Sequence, residues 1–261
     1  MKNVELLAPA GNFAKLKTAL YFSADAVYLG GKEFSLRSFA DNFSREEFKE
    51  AAVYAHERGK KVYVTVNIYA RNNDLAAMED YFAFLEEAGA DAALISDPGV
   101  LYAAKKSAPK LAVHISTQAN VTNKYAVKFW QEQGASRVVL ARELPLADIA
   151  EIHSFVPDIE LEAFVHGAMC ISYSGRCLLS DYLTGRPSNR GECAQACRWK
   201  YSIRKVDEKS DSGWLDMEED ERGTYILNSK DLNMSAYLDK MREAGVCSFK
   251  IEGRMKSEYY L

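Results

Sequence analysis

Short apolar runs alternate along the chain with longer amphipathic stretches. The apolar runs are nearly continuous instead of alternating with polar residues, which is typical of parallel strands covered on both faces. The amphipathic stretches between them show the spacing of surface helices. Eight strands are therefore predicted, at Val4–Pro9, Ala26–Gly30, Lys61–Asn67, Ala92–Asp97, Ala112–Gln118, Arg137–Arg142, Ile159–Val165 and Ser248–Gly253.

Local signals mark where the helices begin and end. Ser44 and Glu47 form an S-x-x-E capping box, which predicts a helix over 45–58. A small residue then ends the helix before the next strand begins. This junction recurs five times, at Ser23, Gly59, Gly89, Gly134 and Gly245. We interpret the recurrence as a repeated βα unit.

Eight strands alternating with helices predict a (β/α)8 TIM-like barrel, with a doubly wound open sheet as the alternative. No G-x-G-x-x-G motif follows a strand, which weakens the dinucleotide-binding form of that alternative. We expect a single barrel domain over 1–261, with an insertion after strand seven at 168–223. Residues 257–261 resemble the first turn of an eighth helix, so we expect the last helix to be truncated and a further C-terminal part to be absent.

Composition and charge narrow the class of protein. The apolar fraction of 48% supports a sizeable core, and the net charge of −4 gives no overall attraction to nucleic acid. No apolar run approaches the roughly 20 residues that a membrane-spanning helix needs. The N-terminus lacks a secretion signal. We therefore expect a cytoplasmic protein with no membrane partner.

The insertion carries the densest chemistry of the chain. Four cysteines follow the spacing C-x6-C-x15-C-x3-C, at Cys170, Cys177, Cys193 and Cys197. Basic residues surround them, and an acidic stretch at 207–222 follows, which we expect to be solvated. In the cytosol, clustered cysteines are more often metal ligands or redox groups than structural disulfides.

Several roles are consistent with these four cysteines. Zinc sites usually show two short-spaced pairs, which fits poorly, whereas iron–sulfur clusters tolerate irregular spacing. Cys193 and Cys197 could share one helical face. Free thiols, a disulfide, or a cysteine nucleophile paired with His166 are the alternatives. We expect Cys247, which stands apart, to act as a small buried hydrophobe.

Polar residues follow most of the predicted strands. In a barrel these strand ends converge on one mouth, where active sites lie. Their mixture of cationic and amide side chains suits a small anionic ligand. The predicted substrate-binding residues are Arg37, Asn67, His114, Gln118, Arg142, Arg190, Lys250 and Glu252.

Residues 160–180 read ELEAFVHGAMCISYSGRCLLS, which resembles the signature of the collagenase-like peptidase U32 family. Further blocks that resemble this family run through the chain in order: LLAPAGN, ADAVYLGG, HISTQAN, RVVLAREL, NRGECAQACRW, YILNSKDL and SFKIEGRMKS. The family name implies proteolysis. Other members are implicated in oxygen-independent hydroxylation of tRNA uridine, ribosomal RNA cytidine and a ubiquinone precursor.

The resemblance implies more about cofactors and partners. RNA-modifying members depend on prephenate and on iron–sulfur assembly, and ubiquinone-pathway members hold a [4Fe–4S] cluster on four cysteines. The four clustered cysteines match those ligands. In protein handled in air, the same site could hold zinc or be empty. The expected reaction is oxygen-independent hydroxylation of RNA, with a tRNA uridine as the leading substrate. Glu162, His166 and Glu143 are the expected proton-transfer groups.

Expected partners follow from this reaction. They are tRNA or another RNA, a small anionic metabolite such as prephenate, the iron–sulfur assembly machinery, and an oligomeric or paralogous partner. RNA phosphates would meet basic residues of the insertion, namely Arg186, Arg190, Arg198, Lys200 and Arg204. The alternatives are a peptidase and a non-catalytic subunit that binds RNA or carries the cluster.

Overall fold

The computed structural model describes residues 4–37, 40–199, 219–220, 223–224 and 231–260. Eight parallel strands form its framework: β1 Glu5–Ala10, β2 Ala26–Gly30, β3 Lys61–Thr65, β4 Ala92–Ile95, β5 Ala112–Ile115, β6 Arg137–Val139, β7 Glu160–Gly167 and β8 Val246–Ile251. Each strand pairs with the next, and β8 pairs with both β7 and β1. The sheet is therefore closed, and the predicted (β/α)8 barrel is confirmed.

Helices follow the strands in alternation. They are α1 Phe13–Tyr21, α2 Arg45–His56, α3 Asn72–Glu87, α4 Pro98–Ser107, α5 Lys124–Glu132, α6 Leu146–Phe155, α7 Leu179–Thr184 and α8 Leu238–Glu243. The predicted capping box opens α2, because Ser44 accepts from the Glu47 amide and the Glu47 side chain accepts from the Ser44 amide. Helix α7 lies in the insertion, and α8 leads into β8. No helix in the described residues is long and apolar enough to cross a membrane.

The repeated junction between helix and strand has one backbone conformation. Gly59 ends α2 with φ +67°, in the left-handed region that favours glycine. Ser23 takes the same place after α1 with φ +70°, although it carries a side chain. The serine variant of the repeat is thus structurally equivalent to the glycine form.

Two apolar cores lie on opposite faces of the barrel sheet. The larger one fills the layer between strands and helices, and a smaller one fills the barrel interior. The interior core is built from Leu7, Ala26, Tyr28, Tyr63, Ala92, Leu94, Val139 and Phe164. Because side chains alternate along each strand, the residues two positions away from these also point inward.

An ionic network fills the rest of the barrel interior. The guanidinium of Arg137 on β6 contacts the carboxylates of Glu5, Glu160 and Glu162. The far oxygen of Glu162 accepts from the Lys250 ammonium at 2.8 Å. Glu162 is fully buried, and the network therefore runs along the barrel interior from its base towards its mouth.

Part of the insertion has no structural description. The predicted acidic stretch at 207–222 lies almost wholly outside the described residues. The same holds for two of the basic residues that we expect to meet RNA, Lys200 and Arg204.

Candidate active site

The first half of the insertion is anchored on the loop after β3. Arg190 donates to the carbonyl of Tyr69 at 2.8 Å and forms an ion pair with Asp74 at 2.9 Å. The Tyr69 amide donates back to the carbonyl of Asn189 at 2.8 Å. These contacts hold the insertion at the carboxyl ends of the strands, where barrel active sites lie.

A glycine allows a second contact with the barrel. Gly175 has φ +77°, and a Cβ there would come within 2.5 Å of the Gln118 carbonyl oxygen. The Tyr69 hydroxyl donates to the Gly175 carbonyl. Only glycine satisfies both the backbone conformation and the close approach. The insertion is therefore packed directly against the loops after β3 and β5.

All four clustered cysteines line one cavity at the barrel mouth, and none of them forms a disulfide. The pair Cys193 and Cys197 does not share a helical face, and that prediction was wrong. Gln195 has φ +55°, so the chain turns between the two thiols, and a short 3-10 helix begins only at Ala196. The same turn directs the Gln195 amide to Cys193 Sγ at 3.4 Å.

Four cysteines are a suitable set of residue types to hold a metal ion or cluster through thiolate ligands. Burial, followed by the nearby Cys170 thiol, raises the pKa of Cys197. In the described residues, no three His, Cys, Asp or Glu side chains are spaced to hold a metal ion. The four cysteines share a cavity wall without forming a ligand sphere. Cys247 lies at the opposite end of the barrel, where its thiol contacts the Leu161 carbonyl at 3.4 Å.

The cavity has a volume of about 140 Å³ and a strong excess of positive charge. In the part of the chain that the structure describes, four cations and one carboxylate line it: Arg37, Arg142, Lys250, Arg254 and Glu252. Lys250 is balanced by Glu162 beneath the cavity, which leaves three arginines around a single acid. Such a cluster in a partly enclosed space favours an anionic ligand.

Glu252 is held ionised by these arginines. Its carboxylate lies 3.3 Å from Arg142 and 3.9 Å from Arg37. Burial opposes ionisation, but the charges of Arg37, Arg142 and Arg254 outweigh it and lower the pKa of Glu252. Arg142 also lies 4.0 Å above the ring of Phe164, which fixes the plane of its guanidinium.

Arg254 is a cation that is absent from the predicted set of substrate-binding residues, although it follows the last predicted strand. It is 3% exposed, and it donates to the hydroxyls of Ser35 at 2.8 Å and Thr65 at 2.9 Å. Burial lowers the pKa of this guanidinium to about 10, and it has no carboxylate at ion-pair distance in the described structure. A Cβ on Gly30 would collide with it, so the glycine at the end of β2 makes its space.

A simple signal could have identified Arg254. Ser248, Lys250, Glu252 and Arg254 follow one another at intervals of two, the period of a strand face. Since Ser248 and Lys250 point into the barrel, continuing this alternation past the end of β8 places Arg254 at the mouth.

Lys250 connects the cavity to the buried network. Its ammonium lies 2.8 Å from Glu162 and 4.3 Å from the centre of the Tyr28 ring. Burial lowers the pKa of Lys250, and the Glu162 charge partly opposes this. The amine therefore gives up a proton more readily than an exposed lysine, which is a useful property at a reaction site.

The predicted site residues fall into two groups. Six of the predicted substrate-binding residues line the cavity together: Arg37, Asn67, Gln118, Arg142, Lys250 and Glu252. The other two, His114 and Arg190, do not.

The three predicted proton-transfer residues also lie away from the cavity lining. Glu162 is enclosed beneath the cavity, where Lys250 separates it from the ligand space. Glu143 is exposed in the turn after β6. His166 is exposed beside Tyr260, with ring centres 5.9 Å apart. Of the three, only Glu162 is connected to the cavity, through Lys250.

His114 is buried below the cavity in its neutral form. Its ring lies edge-on to that of Tyr63, with centres 4.7 Å apart, and its Nδ1 has no hydrogen-bond partner in the described structure. Burial, then the charges of Arg137 and Lys250, lowers the pKa of His114 well below its ordinary value of 6.5. The folded protein thus excludes a proton that the unfolded chain accepts.

This exclusion predicts an acid sensitivity. Below the unfolded pKa of His114, the unfolded state binds the extra proton, so the free energy of unfolding decreases as pH falls. From about pH 7 to about pH 5.5 the loss from this residue is roughly 1 kcal/mol. Urea denaturation across this range should show a shallower pH dependence for His114→Phe than for the wild type. Equal pH dependence in both proteins would contradict the assignment.

The comparisons with known proteins agree with the fold and the sequence blocks. The family model described as Peptidase family U32 matches residues 11–261. The solved structure of the U32 peptidase Mk0906 shares the fold with a TM-score of 0.63 and 14% identity, over 97% of this chain and 94% of that one.

Among curated relatives, "tRNA hydroxylation protein P1" of Bacillus subtilis is 47% identical over 100% of this chain, which spans 61% of that protein. The "23S rRNA 5-hydroxycytidine C2501 synthase" of Escherichia coli is 38% identical over 99% of this chain and 37% of its own length. An uncharacterized protease of Methanocaldococcus jannaschii is 44% identical over 100% of this chain and 63% of its own. The chain thus covers less than two thirds of these relatives. It belongs to peptidase family U32.

Proposed function

We propose that this chain carries the catalytic barrel of an RNA hydroxylase, with a tRNA uridine as the substrate nucleoside. The observation that carries the proposal is the meeting of four cysteines and three arginines on one cavity at the barrel mouth. Relatives named for tRNA and ribosomal RNA hydroxylation support the reaction class.

The proposed cofactor is a [4Fe–4S] cluster on Cys170, Cys177, Cys193 and Cys197. Thiols are the ligands that iron–sulfur clusters use, and no histidine lines the cavity among the described residues. When bound, such a cluster supplies one-electron transfer. The Gln195 amide already directed at Cys193 Sγ is the kind of donor that stabilises ligand sulfur.

The proposed co-substrate is a small anion of the prephenate type. Replacing C–H by C–OH on a base, with water as the source of the oxygen, releases two electrons and two protons, so a co-reactant must take up the two electrons. Arg254, Arg142 and Arg37 would hold the carboxylate groups of this co-reactant in the deep cavity. Lys250 Nζ would hold or release a proton there, since Glu162 Oε1 lies 2.8 Å behind it.

Mass spectrometry of tRNA nucleosides tests this function. Nucleosides of tRNA from a strain lacking the gene should lose 5-hydroxyuridine-type modifications by mass spectrometry, and the wild-type gene should restore them. Unchanged modification in a strain without a paralogue would remove the proposal.

The cluster has its own test. Anaerobically purified protein should contain about four irons per chain. Cys197→Ser should lose most of this iron, whereas Cys247→Ser, at the other end of the barrel, should retain it. Colourless protein loaded with zinc, or equal iron in both variants, would contradict the cluster.

Proteolysis remains the second candidate, because one relative is named a protease. A cysteine peptidase needs a histidine base beside its thiol. In the described structure, His114 is buried beneath the cavity and His166 is exposed beside Tyr260, and neither lines the cavity. We therefore expect that the iron-free protein does not cleave gelatin. Gelatin cleavage by the iron-free protein that Cys170→Ser abolishes would favour the peptidase over the hydroxylase.

A further inference from the structure

The cavity opens outward through two connected spaces. A vestibule shares Arg37, Arg142, Cys170, Cys197 and Glu252 with the deep cavity. It continues into an outer groove lined by Arg186, Cys193, Gln195, Arg198, Trp199 and Met255. The vestibule and the outer groove share four residues, Cys193, Gln195, Arg198 and Met255. The cysteines therefore lie between a deep arginine-rich cavity and an open groove on the protein surface.

The outer groove has the properties of a site for single-stranded nucleic acid. Among the described residues two arginines line it and no carboxylate does, so its charge is complementary to phosphate. Trp199 at its wall is 43% exposed, which places a partly accessible aromatic side chain where a base could stack. Among the described residues, Arg198 has no ion-pair partner and its guanidinium remains available for an incoming anion.

The arginines of the insertion have different tasks. Arg190, which we expected to contact RNA, is engaged by Asp74 and the Tyr69 carbonyl and fixes the insertion to the barrel. Arg198 lies in the groove itself, next to Trp199. Of the arginines expected to contact RNA, Arg198 is therefore placed for that role, whereas Arg190 serves as an anchor.

We propose that the outer groove binds one unpaired nucleotide of the RNA substrate, whose base stacks on Trp199 and whose phosphate meets Arg198. This inference rests on the proposed function and adds the recognition mode. A base in a duplex cannot reach the cysteines through a groove of this kind, whereas a base that has left the stack can. The groove thus selects loops and single strands over helices, and it presents the base to the vestibule while the anion occupies the deep cavity.

Fluorescence anisotropy tests the groove. The probes are a fluorescein-labelled oligouridylate of ten nucleotides and an RNA duplex of the same length, each added to the whole chain. We expect the single strand to bind at least tenfold more tightly than the duplex. Trp199→Ala should weaken single-strand binding about tenfold, and Trp199→Phe, which keeps an aromatic face, should stay within about threefold of the wild type.

Salt dependence separates stacking from charge. Arg198→Ala should reduce the slope of log K against log salt by about 0.7, since one phosphate contact is lost, and Trp199→Ala should leave the slope unchanged. Matched controls lie elsewhere on the barrel. Tyr102→Ala removes an exposed aromatic ring from α4, and Arg242→Ala removes an arginine at the opposite end. Both should bind the single strand as the wild type does.

The outcomes distinguish the two levels of the proposal. Suppose the wild type binds the single strand and Trp199→Ala, with an unchanged circular dichroism spectrum, binds it equally well. This result would overturn the groove as the binding site but would not contradict RNA hydroxylation. Equal affinity for the duplex would also overturn the groove. A wild-type protein that binds neither RNA, yet whose deletion abolishes the tRNA modification, would place the RNA contact outside this chain and overturn the groove as its site.

Discussion

Replacing Arg137 by methionine is expected to lower the free energy of unfolding by about 3–5 kcal/mol. The guanidinium is 4% exposed and lies 3.1 Å from Glu162, which has no access to water. It also pairs with Glu5 and Glu160. Its removal leaves Glu5 without a cation among the described residues and leaves Glu162 with Lys250 alone. A buried carboxylate that loses its counterion costs far more than a missing contact.

The measurement is urea denaturation followed by circular dichroism at neutral pH. Arg242→Met is the matched control, because its ion pair with Asp239 is on the surface and should contribute less than about 1 kcal/mol. Adding Glu162→Gln to Arg137→Met should recover part of the loss, since the double variant no longer buries that charge. Strict additivity of the two substitutions, or a loss for Arg137→Met no larger than for Arg242→Met, would show that the network does not stabilise the barrel.

Replacing Arg254 by methionine is expected to weaken binding of the proposed anionic co-substrate by about two orders of magnitude. Arg254 is buried against two hydroxyls and has no carboxylate at ion-pair distance in the described structure. A buried guanidinium in this state is costly for the folded protein, so a ligand anion is the partner it lacks. We therefore expect the substitution to leave the melting temperature unchanged or to raise it.

This combination distinguishes a binding residue from a structural one. Ser35 and Thr65 stay hydrogen-bonded to each other at 2.9 Å when Arg254 is removed, so the pocket wall keeps its own contact. Calorimetric titration with prephenate gives the affinity, and Arg176→Met, an exposed arginine of the insertion, is the control. Arg254→Lys should be intermediate, because it keeps the charge and loses the fork of donors. Binding within threefold of the wild type, or a lower melting temperature with normal binding, would assign Arg254 to structure alone.

Much of the architecture could be predicted from local patterns. Buried parallel strands need nearly continuous apolar runs, and helix ends need caps and left-handed residues, so both signals are written in neighbouring positions. The capping box at Ser44 and the junction at Gly59 are examples, and a strand forms at each of the eight predicted positions.

The candidate site was only partly predictable. Polar residues after strands identified Arg37, Arg142 and Glu252, because strand ends converge in any closed parallel barrel. The same rule could not tell that Glu162 lies beneath the cavity or that Glu143 lies in an exposed turn. It also could not show that a left-handed Gln195 separates the last two cysteines from a common helical face.

By itself the sequence determined the barrel, its repeated unit and the presence of a cysteine-rich insertion on the face that carries chemistry. Only the tertiary structure decided which side chains meet there. Arg190 and Asp74 are 116 positions apart, and Arg254 and Thr65 are 189 apart. Such pairs form because the barrel closes and the insertion folds back over its mouth, and no pattern of neighbouring residues encodes a distance between chain segments so far apart.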